Sequence, residues 1–300
     1  MQHLATVTPS GSSELVSSFL AAQDVRPHTL ENYRHHLAAF FAAHPKGEPI
    51  TPAAVARWRD DLLAQGRSAL SVGSYLSAVR CFFSWAEGAG ISPNLARGVK
   101  SPKAERRFRR LPLSTNLARV VLASCRSPRE QLLVELMLRA GLRGVELSRA
   151  NIGDRTIRAG RDVLHVQGKG KDDREAFVVL APSVVLAWNA YVAQLGPVHI
   201  SSPLFPSSRG PKAGERLSTR SIRAEVSAVL QRAGVKEARV TAHSLRHTCA
   251  VELRRAGASL QDVQRVLRHA SSDTTALYSA FAEDEIRLAA PPEMLLEGVF

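Results

Sequence analysis

Residues 155–180 read RTIRAGRDVLHVQGKGKDDREAFVVL, and this stretch sets the class of the second half of the chain. Its β-branched and aliphatic residues fall in three short runs: Arg155-Thr156-Ile157, Val163-Leu164-His165-Val166 and Glu175 to Leu180. The runs are separated by Gly160-Arg161-Asp162 and Gly168-Lys169-Gly170-Lys171-Asp172-Asp173. The spacing predicts a three-stranded antiparallel meander.

On both sides the apolar period changes to that of a helix. Upstream lie helical patterns at 116–125 and 128–140, the second stopped by Gly141; downstream they cover 182–195, 219–233, 242–256, 260–267 and 272–281. Residues 112–300 therefore read as a mixed α domain around a small sheet, with a C-terminal tail from about residue 283. Four more helical blocks precede it, at 14–22, 29–43, 52–65 and 70–89. Thr29 and Thr51 are the N-cap candidates, Thr51 with Pro52 at the first helical position, while Pro45-Lys46-Gly47, Gly66, Gly88 and Gly90 break the blocks. Residues 1–96 thus form an all-α N-terminal domain whose expected core is Leu37, Phe40, Phe41, Val55, Trp58, Leu62, Leu76, Val79, Phe83 and Trp85. The fold class is mainly α.

The chain has 300 residues, 45% of them hydrophobic, which excludes a disordered tail protein. Its 40 basic residues against 27 acidic ones leave a net charge of +13, which points to a polyanionic partner. Only seven of the basic residues are lysines. Arginine's planar fork matches phosphate oxygens, although a GC-rich genome produces the same bias. The charge is uneven: residues 1–96 are neutral, whereas RGVKSPKAERRFRR at 97–110 sets seven basic residues against Glu105 alone, a net +6. With Pro102 and little apolar periodicity, residues 97–111 read as a basic interdomain linker. Lys100, Lys103, Arg106, Arg107, Arg109 and Arg110 are its candidate phosphate contacts, and a solvated charge run is the plain alternative. If the segment does bind a duplex, counterion release makes the affinity fall steeply with salt.

Cys81, Cys125 and Cys249 are far apart in apolar stretches, without C-x-x-C spacing, and read as small core residues of a reducing compartment. The first residues lack the basic and apolar regions of a signal peptide, and no uncharged run is long enough to span a membrane. The expectation is a cytoplasmic protein.

Four places in the second domain put cationic or titratable groups where folding does not call for them. Arg143 follows the helix-ending Gly141 and stands three residues before Glu146, a spacing that lets the carboxylate orient the guanidinium. Lys169 sits between glycines at a hairpin tip. His243-Ser244-Leu245-Arg246-His247 begins a helix whose apolar stripe is Leu245, Cys249, Leu253 and Ala256. His243 and Arg246 fall off that stripe, so burial does not explain them, and a helix start favours an anion arriving from outside. Finally, His269 precedes Tyr278 by nine residues, in a segment where Ser271 or Ser272 can cap a helix.

Taken together, Arg143, Lys169, His243-x-x-Arg246, His269 and Tyr278 resemble, in order and spacing, the signature of the tyrosine recombinases, the phage-integrase and Xer group. The N-terminal helices resemble that family's core-binding domain and residues 112–281 its catalytic domain. The resemblance implies a site-specific DNA recombinase in which Tyr278 forms a 3′-phosphotyrosyl link and frees a 5′-hydroxyl. Arg143 and Arg246 would hold the non-bridging oxygens, Lys169 would protonate the leaving oxygen, and His243 and His269 would supply hydrogen bonds and proton traffic. It further implies double-stranded DNA as partner, a homo-oligomer on DNA from dimer to tetramer, a tail that docks on a neighbouring subunit, and no metal, ATP or cofactor. The size without an arm-binding domain matches the simpler Xer-like members; chromosome-dimer resolution, integration and plasmid resolution all remain open.

The sequence also departs from the family pattern. Arg268 stands where glycine usually precedes the second histidine and is expected to add positive charge beside the phosphate. Ser279 replaces a frequent threonine, and Lys171 competes with Lys169 for the lysine role. Two alternatives are a type IB topoisomerase-like relaxing enzyme and a catalytically silent DNA-binding architectural protein, for which Tyr278 would have no use.

Overall fold

A computed structural model describes residues 12–44, 48–103, 110–167, 174–208, 210–268, 288 and 291–298. The chain divides into two compact units, Met1–Glu105 and Arg106–Phe300, each with its own apolar core.

The first unit consists of α1 (Ser12–Ala21), α2 (Pro27–Ala42), α3 (Pro52–Ala64) and α4 (Ala69–Gly88). The central helix is α4, which buries Val72, Tyr75, Leu76, Ala78, Val79, Phe82, Phe83 and Ala86. Aromatic rings interlock around it edge to face, as with Phe19 and Phe82 at 5.6 Å and Phe40 and Trp58 at 4.9 Å between centroids. Nine of the ten expected core residues are buried and Trp85 is half-buried. Thr51 caps α3 as its sequence predicts, its hydroxyl accepting the Ala54 N–H at 3.2 Å. Thr29, in contrast, is not a cap: α2 starts two residues earlier at Pro27, with Arg26 as N-cap and no side-chain hydrogen bond. Proline already has the helical φ and no N–H to satisfy, so it sets the start by itself.

After α4 the chain is fastened back to its own unit. Arg80 donates to the Val99 carbonyl and to the Ser101 hydroxyl at 3.0 Å, and Arg59 donates to the Lys100 carbonyl at 3.2 Å. The side of Val99 is buried, while Lys100 and Lys103 are exposed.

The second unit runs α5 (Thr115–Ala123), α6 (Pro128–Leu138), α7 (Gly144–Arg149), a 3-10 turn at Ile152–Asp154, β1 (Arg155–Arg158), β2 (Arg161–Val166), β3 (Ala176–Val179), α8 (Pro182–Leu195), α9 (Thr219–Arg232), α10 (Ala242–Arg255) and α11 (Leu260–Leu267). A second 3-10 segment covers Pro292–Gly298. Leu132 to Met137 of α6 are all buried, because the helix is packed by α5, α8, α9 and α10. The one charge in this buried run, Glu135, is paired with Arg139 at 2.6 Å, and the other five residues are apolar, as a central helix requires.

The sheet is antiparallel in the order β1-β2-β3, with Thr156 opposite Val163 and His165 opposite Phe177. Ala159 and Gly160 turn β1 into β2 with φ of 47° and 73°, the two positive values that a tight hairpin of matching twist needs. Among the described residues no helix is long and apolar enough to cross a membrane.

Candidate active site

Arg143, Glu146, Arg246 and Arg268 converge from three places in the chain. Arg143 is the N-cap of α7, and Glu146 lies in that helix's first turn. Arg246 is on the first turns of α10, which Thr241 and Ser244 cap reciprocally, and Arg268 closes α11.

Glu146 is the pivot. Its side chain is fully buried, and each of its oxygens accepts two hydrogen bonds. Oε1 accepts from Arg143 Nη1 at 2.8 Å and from Arg268 Nε at 3.3 Å. Oε2 accepts from the Arg143 backbone N–H at 2.8 Å and from Arg268 Nη2 at 2.7 Å, and Arg246 Nη1 stands 3.9 Å away. Burial by itself would raise this carboxyl. The charge and hydrogen bond of Arg268, the Arg143 N–H and the charge of Arg246 outweigh it, holding Glu146 below its ordinary value. The site therefore carries three guanidiniums on one carboxylate, an excess of positive charge suited to an anion.

Arg246 corrects the sequence reading. Although it lies off the apolar stripe, it is 1% exposed and is the largest fully buried side chain described. Its two terminal nitrogens donate to the carbonyls of Gly141 and Leu267, so the fork ties the end of α6 to the end of α11. A buried guanidinium is tolerable when its terminal nitrogens are hydrogen-bonded in this way. Gly141 has to be glycine for two reasons. Its φ is +60°, and an added Cβ would stand 2.6 Å from Leu267 Cδ2 and 3.4 Å from the buried Cys249 Sγ.

His243 lies one turn before Arg246 and is exposed, its ring edge-on to that of His247 with centroids 4.6 Å apart. Desolvation against the protein, then the charges of Arg246, Arg143, Arg223 and Arg110, push its imidazole down to about 4. Desolvation keeps the ring neutral first and the charges of the four arginines add to it, so an arriving phosphate would offset the arginines' part of the shift. Arg223 was missed at the sequence level. Its signal is weak, an exposed arginine beside the buried stripe Ile222, Val226, Val229 and Leu230 of α9.

Arg110, the last of the linker cations, is exposed, donates to the Ala238 carbonyl at 2.9 Å and contributes to the field at His243. Arg106, Arg107 and Arg109 lie outside the described residues, as do Lys169, Lys171, His269, Tyr278 and Ser279. Arg268 corrects another expectation: its guanidinium turns inward to Glu146, with only 10% of the side chain exposed, and does not stand free beside the site.

Comparison with known proteins matches residues 113–285 to the phage integrase family and residues 16–90 to the phage integrase N-terminal SAM-like domain. A tyrosine recombinase XerC of Thermodesulfovibrio yellowstonii is 31% identical over 265 residues, covering 84% of this chain and 85% of that protein. Among solved structures, the XerH site-specific recombinase bound to palindromic difH substrate superposes with a TM-score of 0.73 at 22% identity, over 94% of this chain and 85% of that one. A lambda integrase tetramer bound to a Holliday junction gives 0.71 at 21% identity, over 91% and 77%. The family match spans more than half of the chain and includes Arg143, Glu146, His243 and Arg246, and the XerC relative is aligned over most of both sequences. This chain therefore belongs to the phage integrase family, the tyrosine recombinases.

Proposed function

We infer that this chain is a site-specific DNA recombinase that cuts and rejoins strands through a phosphotyrosine. The observation that carries the reading is the convergence of Arg143 and Arg246 on Glu146 beside a neutral His243, in a chain whose relatives are tyrosine recombinases. Arg143, hydrogen-bonded to the buried Glu146, and Arg246, held by the carbonyls of Gly141 and Leu267, are the two guanidiniums this reading assigns to the non-bridging oxygens of one phosphate, where negative charge redistributes in the transition state.

In this reading Tyr278 Oη bonds to phosphorus as the P–O5′ bond breaks. The phenol, with a reference pKa of about 10, needs help to lose its proton at neutral pH. That proton passes to the histidine pair His243 and His269, and the 5′-oxygen leaves with a proton from Lys169. The phosphodiester becomes a phosphotyrosyl ester without hydrolysis, so a second 5′-hydroxyl reverses the step. The guanidiniums do the charge-stabilising work, and the scheme draws on no metal, cofactor or ATP. Relaxation by a topoisomerase-like enzyme and silent binding are not favoured, since the relatives are recombinases.

The first unit, to residue 96, acts as the DNA core-binding domain, residues 97–111 as the basic strap and residues 112–300 as the catalytic domain. Double-stranded DNA in the cytoplasm is the substrate, bound by dimers that pair into a tetramer. In the 3-10 segment near the C-terminus Met294, Leu295 and Leu296 are 61%, 78% and 52% exposed, an apolar patch that suits docking on a neighbouring subunit. The decisive test uses a pool of nicked suicide duplexes with randomised cores. A denaturant-stable protein–DNA adduct that Y278F abolishes is the expected result; an adduct that persists in Y278F overturns the assignment of the nucleophile.

A further inference from the structure

Arg268 occupies a backbone position made for another residue. Its φ of 53° and ψ of 48° are left-handed, a region where glycine is free and a side chain is strained. A non-glycine residue held there has to be held by its surroundings, and three of the four side-chain bonds that hold this one run to the site, the fourth to its own helix. Nη2 and Nε take both oxygens of Glu146, Nη2 also reaches the Gly141 carbonyl at 3.3 Å, and Nη1 donates to Val266 O at 2.5 Å.

These bonds have a consequence for Arg143. With Arg268 on the carboxylate, Glu146 is left only Nη1 and the backbone N–H of Arg143 to bind, which fixes the guanidinium from one side. Arg143 Nη2 points to the carbonyl of Arg268 itself, at 3.4 Å. Arg143 is thus gripped twice by the same neighbour, through its carboxylate partner and through a main-chain oxygen. Its Nε edge has no partner among the described residues, and the side chain keeps 23% exposure.

We propose that Arg268 is a positioning residue for strand cleavage, locking the Arg143 fork in one orientation by saturating Glu146 and presenting its own carbonyl, so that the open edge of Arg143 faces the DNA phosphate. This rests on the recombinase reading above. Arg268 makes no DNA contact in it, so its loss affects the chemical step and spares binding.

The test is adduct formation by full-length protein on suicide duplexes recovered from the randomised pool, measured at saturating DNA, alongside the affinity for the same duplex. R268G, which suits the left-handed backbone and removes the grip, is expected to slow the saturated rate by about tenfold or more while the affinity changes by less than about twofold. R268K, which keeps a charge without the fork, is expected to recover part of that rate. An R268G protein that cleaves at the wild-type rate overturns the proposal, and so does one that loses affinity but not saturated rate, since Arg268 would then be a DNA contact. Should R268G not fold, R268K alone decides: a slowed saturated rate supports the proposal and a wild-type rate overturns it. A wild-type protein without any adduct overturns the recombinase reading itself, and this proposal with it.

Discussion

Glu146 is a buried carboxylate on which three cations depend, so removing its charge leaves them facing one another in a low-dielectric site. E146Q is expected to lose roughly 3 kcal/mol or more of stability, read as a lower urea midpoint, because breaking a buried pair strands its partners. Its pKa is below the ordinary value, so its contribution is present above the unfolded carboxylate's titration and is lost as pH falls through the folded one. His243 acts in a different window. The unfolded chain protonates this ring near 6.5, the folded chain only near 4, so stability declines as pH falls between those values and levels off below. In H243Q that part of the pH dependence should vanish, and a histidine NMR titration of the wild type should find the ring neutral at pH 6. At this scale sequence reading was uneven. Arg143 and Glu146 are three residues apart and their pairing is legible, whereas Arg268 meets Glu146 across 122 residues and Arg246 meets Gly141 across 105. The left-handed backbone at Arg268 has no local signal, since the residue type argues against it.

The helices among the described residues and the meander were legible because their periodicity is strong and their punctuation is chemical; the helix expected at 272–281 lies outside those residues. Thr51 with Pro52 fixes one start and Gly141 fixes one stop. The start of α2 was misplaced because a threonine and a proline two residues apart both signal a start, and proline decides the backbone angle. The junctions between elements matter more than the elements. The turn after α6 brings the Gly141 carbonyl to Arg246 and Arg268 while letting Leu267 of α11 pass beneath it. G141A is therefore expected to cost about 2–4 kcal/mol, from a left-handed alanine together with a clash against Leu267. Thermal unfolding measures this directly, and an unchanged midpoint would show that the turn relaxes freely.

The whole molecule distributes its +13 charge between attraction and chemistry. Lys100, Lys103 and Arg110 are exposed, and in the strap reading each phosphate they neutralise contributes about 0.9 to the slope of log affinity against log salt. The double variant K100A/K103A is expected to flatten that slope while leaving the saturated cleavage rate unchanged, as followed by filter binding over a salt series. Deleting residues 291–300 is expected to leave binding of a single subunit intact and to reduce cooperative assembly on two-site DNA. In the docking reading nothing local to the tail's sequence says what it touches, because the surface it would meet belongs to another copy. The thiol of Cys249 adds a way to watch the second unit open. Packed under Gly141 and pushed up to about 11, chiefly by burial, it is neutral and shielded from reagents in the closed state. With Cys81 and Cys125 replaced by serine, the rate at which a thiol reagent labels the remaining cysteine would time the breathing of α10 against α11. DNA that steadies the site should slow that clock.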